Sequence, residues 1–517
     1  MAAPSYEALF QKFRNESYIN RCEQYAQWTL PALMADSVEV ASSGRVVVER
    51  DFQEVGALLT NNLASKLMRP LFPTQYPFFK ASASEAFKDA ARKRGLDEAA
   101  LRERFARLEM QARDRLFLNA GYASLILMLK HLIVTGQVLL YRDSKNARVT
   151  AYGVQQHSTL RDGSGALLDC VLREFTTVEA LPEDVQVALR MHNQKYRRPE
   201  CKVTKWTRIH RVTRDGNVVF EVSQQVDTLP VGTPGVYPER LCPWMCPTWS
   251  IIPGEHYGRG MVEEYAGGFA RLSSLSEASA LYGVEIMRVL HMVGAGSGTD
   301  VDSLANSESG EWVRGDPNTV AAYEAGDDRK LVAVLNEIQR VTLTLSKAFM
   351  YQANTRQAER VTAYELQREA EEAEFTLGGA YSTVSGGVHI PLAHVLMTEV
   401  SPDILPGLIS GELAPDVTAG IPALGRSADV QNLLMAAQEL AAVFPISQLD
   451  KRINPQRLVD IVLSGRSVDP STLFFTPEEQ RMNAEAEAAA NAAQMNALQA
   501  GTLADAGDQI TQTLTGG

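Results

Sequence analysis

The longest regular hydrophobic pattern of the chain lies in residues 331–350. Its apolar residues recur at steps of three and four, which is the stripe of an amphipathic helix. They are Leu331, Leu335, Ile338, Val341, Leu345 and Phe349. A polar segment, 351–362, follows, and Thr362 with Glu365 three residues later forms a capping-box pattern. A second, longer helix is therefore predicted over residues 363–400. It should bend where helix-interrupting residues occur, at Gly378, Gly379, Gly386, Gly387 and Pro391.

The first half of the chain changes from helical to strand patterns. Residues 1–68 predict helices, the last of which should stop before Pro70. Residues 85–134 predict a charged helix followed by an apolar one. Strand patterns then follow one another in residues 136–143, 148–154 and 167–175, and in a hairpin that turns at Asp215-Gly216. The proline-rich stretch 230–253 is predicted to be a connector.

The second half contains a pair of helices with an insertion between them. One helix is predicted from Arg259 to Leu290, and the other is the amphipathic helix 331–350. The segment between them, 293–330, is glycine-rich and carries eight acids against three bases. This composition indicates a small exposed module at the far end of the helical pair. Further helices are expected near residues 430–443 and 455–463, and an alanine-rich helical tail is expected from Thr476.

Length and charge limit the classes of protein. A chain of 517 residues is expected to form about two to four structural regions. These patterns predict a mainly α protein with a smaller β-containing (α+β) region. The net charge of −12 and the pI near 5.3 argue against a protein that holds nucleic acid by bulk attraction. They remain compatible with a protein that DNA passes without adhering.

The cysteines and apolar segments bear on the compartment. The five cysteines are irregularly spaced and have no matching partners at zinc spacing, so free thiols are expected. The first residues lack the apolar core of a signal peptide. The longest strongly apolar stretch, Tyr122–Val134, is too short to span a bilayer. These features predict an intracellular, soluble chain.

No motif of a known enzyme class stands out. The phosphate-binding pattern GxxxxGK[ST] is missing, and so are HExxH and GxSxG. The glycines of 294–298 are not followed by the helix and acid of a dinucleotide site, and His389 and His394 are expected to be ordinary core or surface residues. No catalytic residue, metal or cofactor is therefore predicted. The alternative is a metal-dependent nuclease or phosphoryl-transfer component that uses the acids of 293–330. Membrane association through the alanine-rich tail is disfavoured because that tail lacks a basic face.

Six short segments occur in one order and at one spacing that resembles a known family. They are NNLASKLM (61–68), TGQVLLY (135–141), ALPEDV (180–185), YGRGMVEEY (257–265), AERVTAYEL (358–366) and FTLGGAYS (375–382). Together they resemble the head-to-tail connector (portal) proteins of short-tailed (podovirus) bacteriophages, over residues 15–480 or so.

The resemblance implies a portal fold with long stem and wing helices. Such proteins form rings, commonly of twelve subunits, at one capsid vertex, with a central channel for double-stranded DNA. The implied regions follow the chain in order: wing 1–256, first stem helix 257–292, clip 293–330, second stem helix 331–350, tunnel loop 351–362, kinked wing helix 363–400, crown 401–475, and an alanine-rich barrel helix with its tail 476–517.

The resemblance also implies the partners. The terminase packages DNA through the ring, the DNA is later ejected through it, and the tail adaptor replaces the terminase at the clip. Major capsid, scaffolding and internal core proteins are further expected contacts, and no membrane is involved. The ring would reside at the portal vertex of the virion after assembly in the host cytoplasm. Clip acids expected to meet partners are Asp300, Asp302, Glu308, Glu311, Asp316, Asp327 and Asp328.

The charges of residues 331–362 bear on the DNA channel. Four bases stand there against two acids, in a chain that is acidic elsewhere. Because a ring repeats each residue at one height, a single cation becomes a positive collar that touches phosphate transiently. The candidate channel residues are Arg340, Lys347, Arg356 and Arg360. The competing interpretation is that they are ordinary solvated helix charges.

Overall fold

A computed structural model describes residues 5–35, 51–74, 76–95, 98–286, 289–296, 298–312, 314–324, 328–351 and 383–417. All of these belong to one compact unit, Met1–Ala423. The expected capping box at Thr362, the tunnel loop beyond Tyr351 and the wing helix up to residue 382 lie outside the described residues. The same holds for the expected crown helices and the alanine-rich tail.

The helices predicted in the first half are confirmed. They are α1 (Tyr6–Phe13), α2 (Glu16–Trp28), α3 (Val55–Leu71), α4 (Glu85–Lys93), α5 (Glu98–Phe117) and α6 (Gly121–Thr135), and a further helix, α7, spans Glu183–His192. The expected stop before Pro70 was wrong, because α3 continues through Pro70 to Leu71. A proline this close to the end removes only one helical hydrogen bond, and the last turn still closes as the N–H of Phe72 donates to the carbonyl of Met68 at 2.9 Å.

Helix α6 lies at the centre of the largest hydrophobic cluster. Its apolar residues are buried along most of its length: Leu125, Met128, Leu129, Leu132, Ile133 and Val134. The helix ends at Gly136, whose φ of 83° lies in the left-handed region, and the Gly136 N–H donates to the carbonyls of His131 and Leu132. This is a glycine C-cap. The apolar part of the predicted 85–134 segment is therefore the core helix on which the other elements pack.

The strands form two larger antiparallel sheets. Their members are β2 (Leu139–Asp143), β3 (Arg148–Tyr152), β4 (His157–Arg161), β5 (Leu167–Thr177), β6 (Lys202–Arg214), β7 (Asn217–Val226), β8 (Leu229–Pro238) and β9 (Trp244–Met245). One sheet has the order β3-β2-β9 and the other β4-β5-β6-β7-β8. The predicted hairpin is confirmed, since Asp215 (φ 51°) and Gly216 (φ 79°) connect β6 to β7. Two left-handed central residues are what a type I′ turn requires.

The prediction of a connector over 230–253 was wrong. Strand β8 occupies its first part and pairs with β7. Because β8 is the last strand in its sheet, one of its edges has no partner strand among the residues that the structure describes. Prolines are tolerated on edge strands, where the missing N–H breaks no ladder. Pro230, Pro234 and Pro238 lie in this strand.

The helical pair of the second half is present with shorter bounds. The first member is broken into α8 (Met261–Glu264) and α9 (Ala266–Ile286), and the second is α11 (Asp328–Ala348). The prediction of helix to Leu290 was wrong, because strand β10 (Val289–Val293) pairs with β11 (Val320–Glu324). A short helix, α10 (Val301–Ala305), lies between these two strands. We refer to α9 and α11 as the stem helices and, in place of the expected bounds 293–330, to the strand-bounded residues 289–324 as the clip.

The described C-terminal part begins with an irregular helical turn. Residues Ser385–His389 form a π-helical turn that continues into α12 (Ile390–Val400). The turn contains Gly386 and Gly387, so the predicted bend at this pair coincides with a helical irregularity. Helix α13 (Leu405–Ser410) and strand β12 (Leu413–Val417) follow, and β12 pairs with β1 (Phe79–Ala83).

Three glycines hold the start of the stem against α6. A Cβ on Gly258 would lie 2.3 Å from the carbonyl oxygen of Gly136, and a Cβ on Gly260 would lie 2.7 Å from that of Ile133. Only glycine allows these backbones to approach so closely. Two of the six family-like segments, 135–141 and 257–265, therefore meet in space at this point.

The structure is about half helical and about a quarter strand, so its class is α+β. All five cysteines are free thiols, as predicted. No single helix among the described residues is long and apolar enough to cross a membrane. One pair of helices, Ala100–Phe117 and Gly121–Thr135, passes such a test jointly by length and composition alone, with a bend of 73° between them.

Candidate DNA channel and docking module

The base of the stem is fixed by aromatic packing between its two helices. Phe349, directly after α11, is fully buried, and its ring meets that of Phe269 on α9 edge to face, with centroids 5.5 Å apart. Gly268 faces Leu345 so closely that a Cβ would lie 3.0 Å from the Leu345 side chain. Val341 is also buried, whereas Leu335 in the outer half of α11 is exposed. The predicted apolar stripe is therefore covered at its base and uncovered toward the clip.

Two side chains of α3 cap the end of the second stem helix. The Lys66 ammonium donates to the carbonyl of Met350 at 2.6 Å, and the Asn62 amide donates to that of Phe349 at 3.5 Å. Met350 has a φ of 54°, which turns the chain out of the helix. A cation at a helix C-terminus satisfies free carbonyls and interacts favourably with the helix dipole. Lys66 thus fixes the point at which segment 352–362 begins.

Sequence reasoning assigned no role to Lys66. The residue belongs to the segment NNLASKLM, which was recognised only as part of a family resemblance. Its partner carbonyl lies 284 positions away along the chain. A lysine on an amphipathic helix has many possible partners, so its function as a cap could only come from the three-dimensional structure.

Of the four candidate channel cations, two lie within the described residues. Arg340 and Lys347 are both exposed on α11, while Arg356 and Arg360 lie outside the described residues. The Arg340 guanidinium donates to Glu337 at 2.9 Å, and Arg271 on α9 approaches the same Glu337 oxygen at 3.3 Å. The hydrogen bond from Arg340 holds the pKa of Glu337 below its ordinary value. Two guanidinium groups therefore share one carboxylate, which leaves a net positive charge on this part of the stem.

Lys347 differs from Arg340 in its surroundings. Within the described part of the chain, its ammonium makes no ion pair and no hydrogen bond. It lies within the last turn of α11, one turn from the Lys66 cap. The geometry therefore offers one paired and one unpaired cation on the same helix, and the unpaired one is free to meet an external anion.

Hydrogen bonds of Thr299 join the segment that follows β10 to the segment that precedes β11. The Thr299 hydroxyl accepts from the N–H of Asp316 at 3.1 Å and lies 3.1 Å from the hydroxyl of Thr319. The N–H of Gly294 donates to the carbonyl of Thr319 at 2.9 Å, which extends the β10–β11 ladder by one bond. The segment predicted as a small exposed module therefore contains a β-hairpin whose strands are joined by further hydrogen bonds just beyond the ladder.

The clip acids fall into two groups. Asp300 and Asp316 cap the short helical turns that follow them, and Glu311 accepts from the N–H of Glu308 at 3.0 Å. The carboxylates of Asp302 and Glu308 make no hydrogen bond or ion pair with another described residue, and both side chains are exposed. The first group stabilises the module itself, and the second remains available to a partner. Asp327 and the side chain of Asp328 lie outside the described residues.

The C-terminal end of α12 is tied to the core by a buried ion pair. Arg142 on β2 is fully buried and binds the Glu399 carboxylate of α12 through two hydrogen bonds of 2.9 Å. Arg115 on α5 binds the same carboxylate at 2.9 Å. Burial alone would raise the pKa of Glu399, but the hydrogen bonds and charge of Arg142, together with hydrogen bonding to Ser144 and Arg115, outweigh it, so the pKa is below its ordinary value. Both ends of the segment that contains 352–382 are thus held by the same compact unit.

His389, directly before α12, also packs into the core. It is buried in the π-helical turn, and its ring packs against Phe72 at a centroid distance of 4.7 Å. Burial lowers its pKa to about 4, so the imidazole is neutral near pH 7. His389 is therefore a core residue, in agreement with its sequence-based interpretation.

The metal-dependent alternative gains no support from the geometry. Among the residues that the structure describes, no three His, Cys, Asp or Glu side chains are grouped so that they could hold a metal ion. The clip acids within this part of the chain are spread over a hairpin, and three of them are engaged in capping its turns.

Comparisons with known proteins agree on one family. The family described as "Bacteriophage head to tail connecting protein" matches residues 3–473. The portal protein of Pseudomonas phage phiKMV is 41% identical over 508 residues, covering 98% of this chain and 98% of that protein. The portal protein of Enterobacteria phage SP6 is 30% identical, covering 84% of this chain and 82% of that protein.

Among solved structures, the chain is similar to the neck of an empty gene transfer agent particle. The TM-score is 0.36 and the identity 13%, covering 83% of this chain and 98% of that one. The match to the family over 3–473, together with relatives of 41% and 30% identity over most of the chain, assigns the protein. It belongs to the bacteriophage head-to-tail connecting proteins.

Proposed function

We propose that the chain is the portal of a phage particle. Its copies form a ring at one capsid vertex, through which the terminase packages double-stranded DNA and through which the DNA is later ejected. The tail attaches to the same ring. The role is structural, and we propose a ring of twelve subunits, the number common in this family. The phiKMV and SP6 relatives, both named portal proteins, support this function.

One observation supports the assembly of this chain into a ring. The stem helices expose large apolar side chains that the chain's own core does not cover: Leu281, Val284, Val332, Leu335 and Leu343. Leu281 and Val284 are 61% and 66% exposed and lie one turn apart on α9. Apolar surface of this kind is stabilised by removal from water. In a closed ring of identical subunits, the stem of each neighbour covers it through a heterologous contact.

The cations of the stem then face the channel. Arg340, Lys347 and Arg271 repeat in every subunit of this acidic protein. Each therefore produces a collar of positive charge around the channel, which we call a band. Arg356 and Arg360 of the tunnel loop add two further bands. Negative charge elsewhere keeps DNA from adhering, while these bands make transient phosphate contacts. The clip receives the terminase first and the tail adaptor afterwards, and the wing meets capsid, scaffolding and internal core proteins.

Electron microscopy of the purified protein tests the assembly. We expect closed rings with a central channel, because the exposed stem residues have no other cover within the described part of the chain. A sample that stayed monomeric at micromolar concentration, with native circular dichroism, would contradict the proposal. Cleavage of DNA in the presence of Mg²⁺ would instead favour the nuclease alternative.

Charge reversal at Lys347 tests the channel. Lys347→Glu should leave ring formation intact, since exposed substitutions usually change stability by less than about 0.5 kcal/mol. It should reduce packaged DNA severalfold, and more than Lys347→Ala, because it reverses the charge of the band instead of neutralising it. Ring assembly and DNA content per particle would be measured side by side.

The matched control is Lys145→Glu, which reverses another exposed lysine far from the stem in sequence. It should leave packaged DNA unchanged. If the Lys145 and Lys347 variants lose DNA equally, the effect is one of net charge and Lys347 does not face the channel. If Lys347→Glu prevents assembly, Lys347 is a contact between subunits.

A further inference from the structure

In the described part of the clip, one large apolar side chain is fully exposed to solvent. Trp312 is 101% exposed, whereas the other four tryptophans are buried or half-buried. Tryptophan is the side chain that gains most from removal from water, and it is enriched where protein partners bind most strongly. A fully solvated tryptophan therefore marks a surface that another molecule covers.

Local hydrogen bonds hold the segment that leads into Trp312. The Glu308 N–H donates to the Glu311 carboxylate at 3.0 Å, and the Glu311 N–H donates back to the Glu308 carbonyl at 3.1 Å. Gly310 provides the left-handed residue that this turn requires, with a φ of 98°. The turn is closed before any partner arrives. This segment therefore loses less conformational entropy on binding than a flexible loop would.

The net charge of the clip indicates the chemistry of the partner. The clip sequence 289–324 contains six acids and one arginine. Asp302 and Glu308 are exposed carboxylates without a partner among the described residues. A second copy of the clip would bring like charges together, which is unfavourable. A basic surface would instead meet complementary charge.

We propose that Trp312 is the anchor by which the clip binds a basic protein partner. The indole enters an apolar pocket on that partner, and basic residues at the rim of the pocket meet Asp302 and Glu308. This inference rests on the proposed docking function of the clip and adds to it the residue and the chemistry of recognition.

Fluorescence quenching tests whether Trp312 remains free in the assembled protein. The difference between the emission of the wild type and of Trp312→Phe isolates the signal of this residue. In isolated rings, acrylamide should quench that signal as efficiently as it quenches a free indole. Strong protection in rings without a partner would mean that a neighbouring subunit covers Trp312, and the proposal would be overturned.

Binding measurements identify the partner side. Purified terminase and tail adaptor of the same virus would be titrated onto preformed rings. Trp312→Ala should weaken at least one of these complexes by on the order of 30-fold, as expected for a central aromatic anchor. Trp312→Phe should restore most of the affinity. Asp302→Asn with Glu308→Gln should weaken binding at low salt and flatten its salt dependence.

Two controls separate this inference from the proposed function. Met191→Ala removes another highly exposed apolar side chain outside the clip and should not change affinity. Deletion of residues 298–327 should abolish binding if the clip is the docking site. Wild-type rings that bind neither protein would refute both the docking function and this inference. Wild-type rings that bind, with Trp312→Ala rings binding equally well, would refute this inference alone.

Discussion

Replacing Glu399 by Ala should lower the free energy of unfolding by about 3–5 kcal/mol. The substitution leaves Arg142 fully buried without its carboxylate, and an uncompensated buried charge is among the costliest defects in a protein interior. Loss of the carboxylate should cost less free energy at Arg115, because its side chain is 36% exposed and can be solvated. The shift would be measured as a lower midpoint of urea or thermal unfolding.

The matched control is an ion pair of the same chemistry at the surface. Glu103 and Arg107 lie one turn apart on α5 and are both exposed. Glu103→Ala should cost less than about 1 kcal/mol. The double variant Arg142→Met with Glu399→Leu should recover much of the lost stability, since it removes both charges and fills the volume. No recovery would mean that packing, and not charge, dominates this site.

The pH dependence of this pair has a definite sign. The folded-state pKa of Glu399 lies below its unfolded value, so its ionised form is favoured by folding. Its contribution is therefore fully present above the unfolded pKa and is lost as the pH falls through the folded pKa. The difference in stability between the wild type and Glu399→Ala should shrink in that acidic range. A difference that stays constant down to the acid transition would contradict the ion-pair explanation.

The sequence was informative where periodicity and turn chemistry act locally. The stripe of 331–350 identified α11 because burial at steps of three and four leaves a direct trace in the residue pattern. Asp215-Gly216 identified the β6–β7 hairpin because few residues tolerate two left-handed positions. The apolar helix in 121–135 was found for the same kind of reason. In each case the determining residues lie within one or two turns of each other.

Elements determined by distant contacts were missed. Strand β4 has buried His157, Ser158 and Thr159 in place of apolar residues. His157 and Thr159 belong to a polar network in which the Gln137 amide donates to Thr159 at 3.1 Å and lies 3.1 Å from a ring nitrogen of His157, so hydrophobic alternation could not reveal the strand. Strand β1 exists through its pairing with β12, more than 300 residues away. No local pattern encodes such a pairing.

The same distinction between local patterns and distant contacts applies to the candidate site. Counting charges identified Arg340 and Lys347, but it could not show that Arg340 shares Glu337 with Arg271. It treated the clip acids as one group, whereas three of them stabilise turns. Trp312 was not singled out, because an exposed and a buried tryptophan look alike in a single sequence. Its position within the largely polar, glycine-containing segment 306–318 was the signal that the sequence offered.

Introducing charge into the exposed stem surface should abolish the ring. The double substitution Leu281→Asp with Val284→Asp places two carboxylates on one face of α9, where we propose that a neighbouring stem packs. Each subunit would then bury two charges without partners, at a cost of several kcal/mol per ion. Because a closed ring repeats the contact at every interface, the penalty is multiplied around the ring. We expect monomers or small open assemblies in place of rings.

The chain itself should still fold, because both side chains are already exposed in the single subunit and contribute little to its core. Circular dichroism and the unfolding midpoint of the monomer would report this, while analytical ultracentrifugation and electron microscopy would report the assembly. Val187→Asp with Ile409→Asp provides a control, since both residues are exposed apolar positions away from the stem. Those rings should form normally. Intact rings in the stem variant would show that the exposed face of α9 is not the subunit contact, and the assembly would then have to be held by the clip and wing alone.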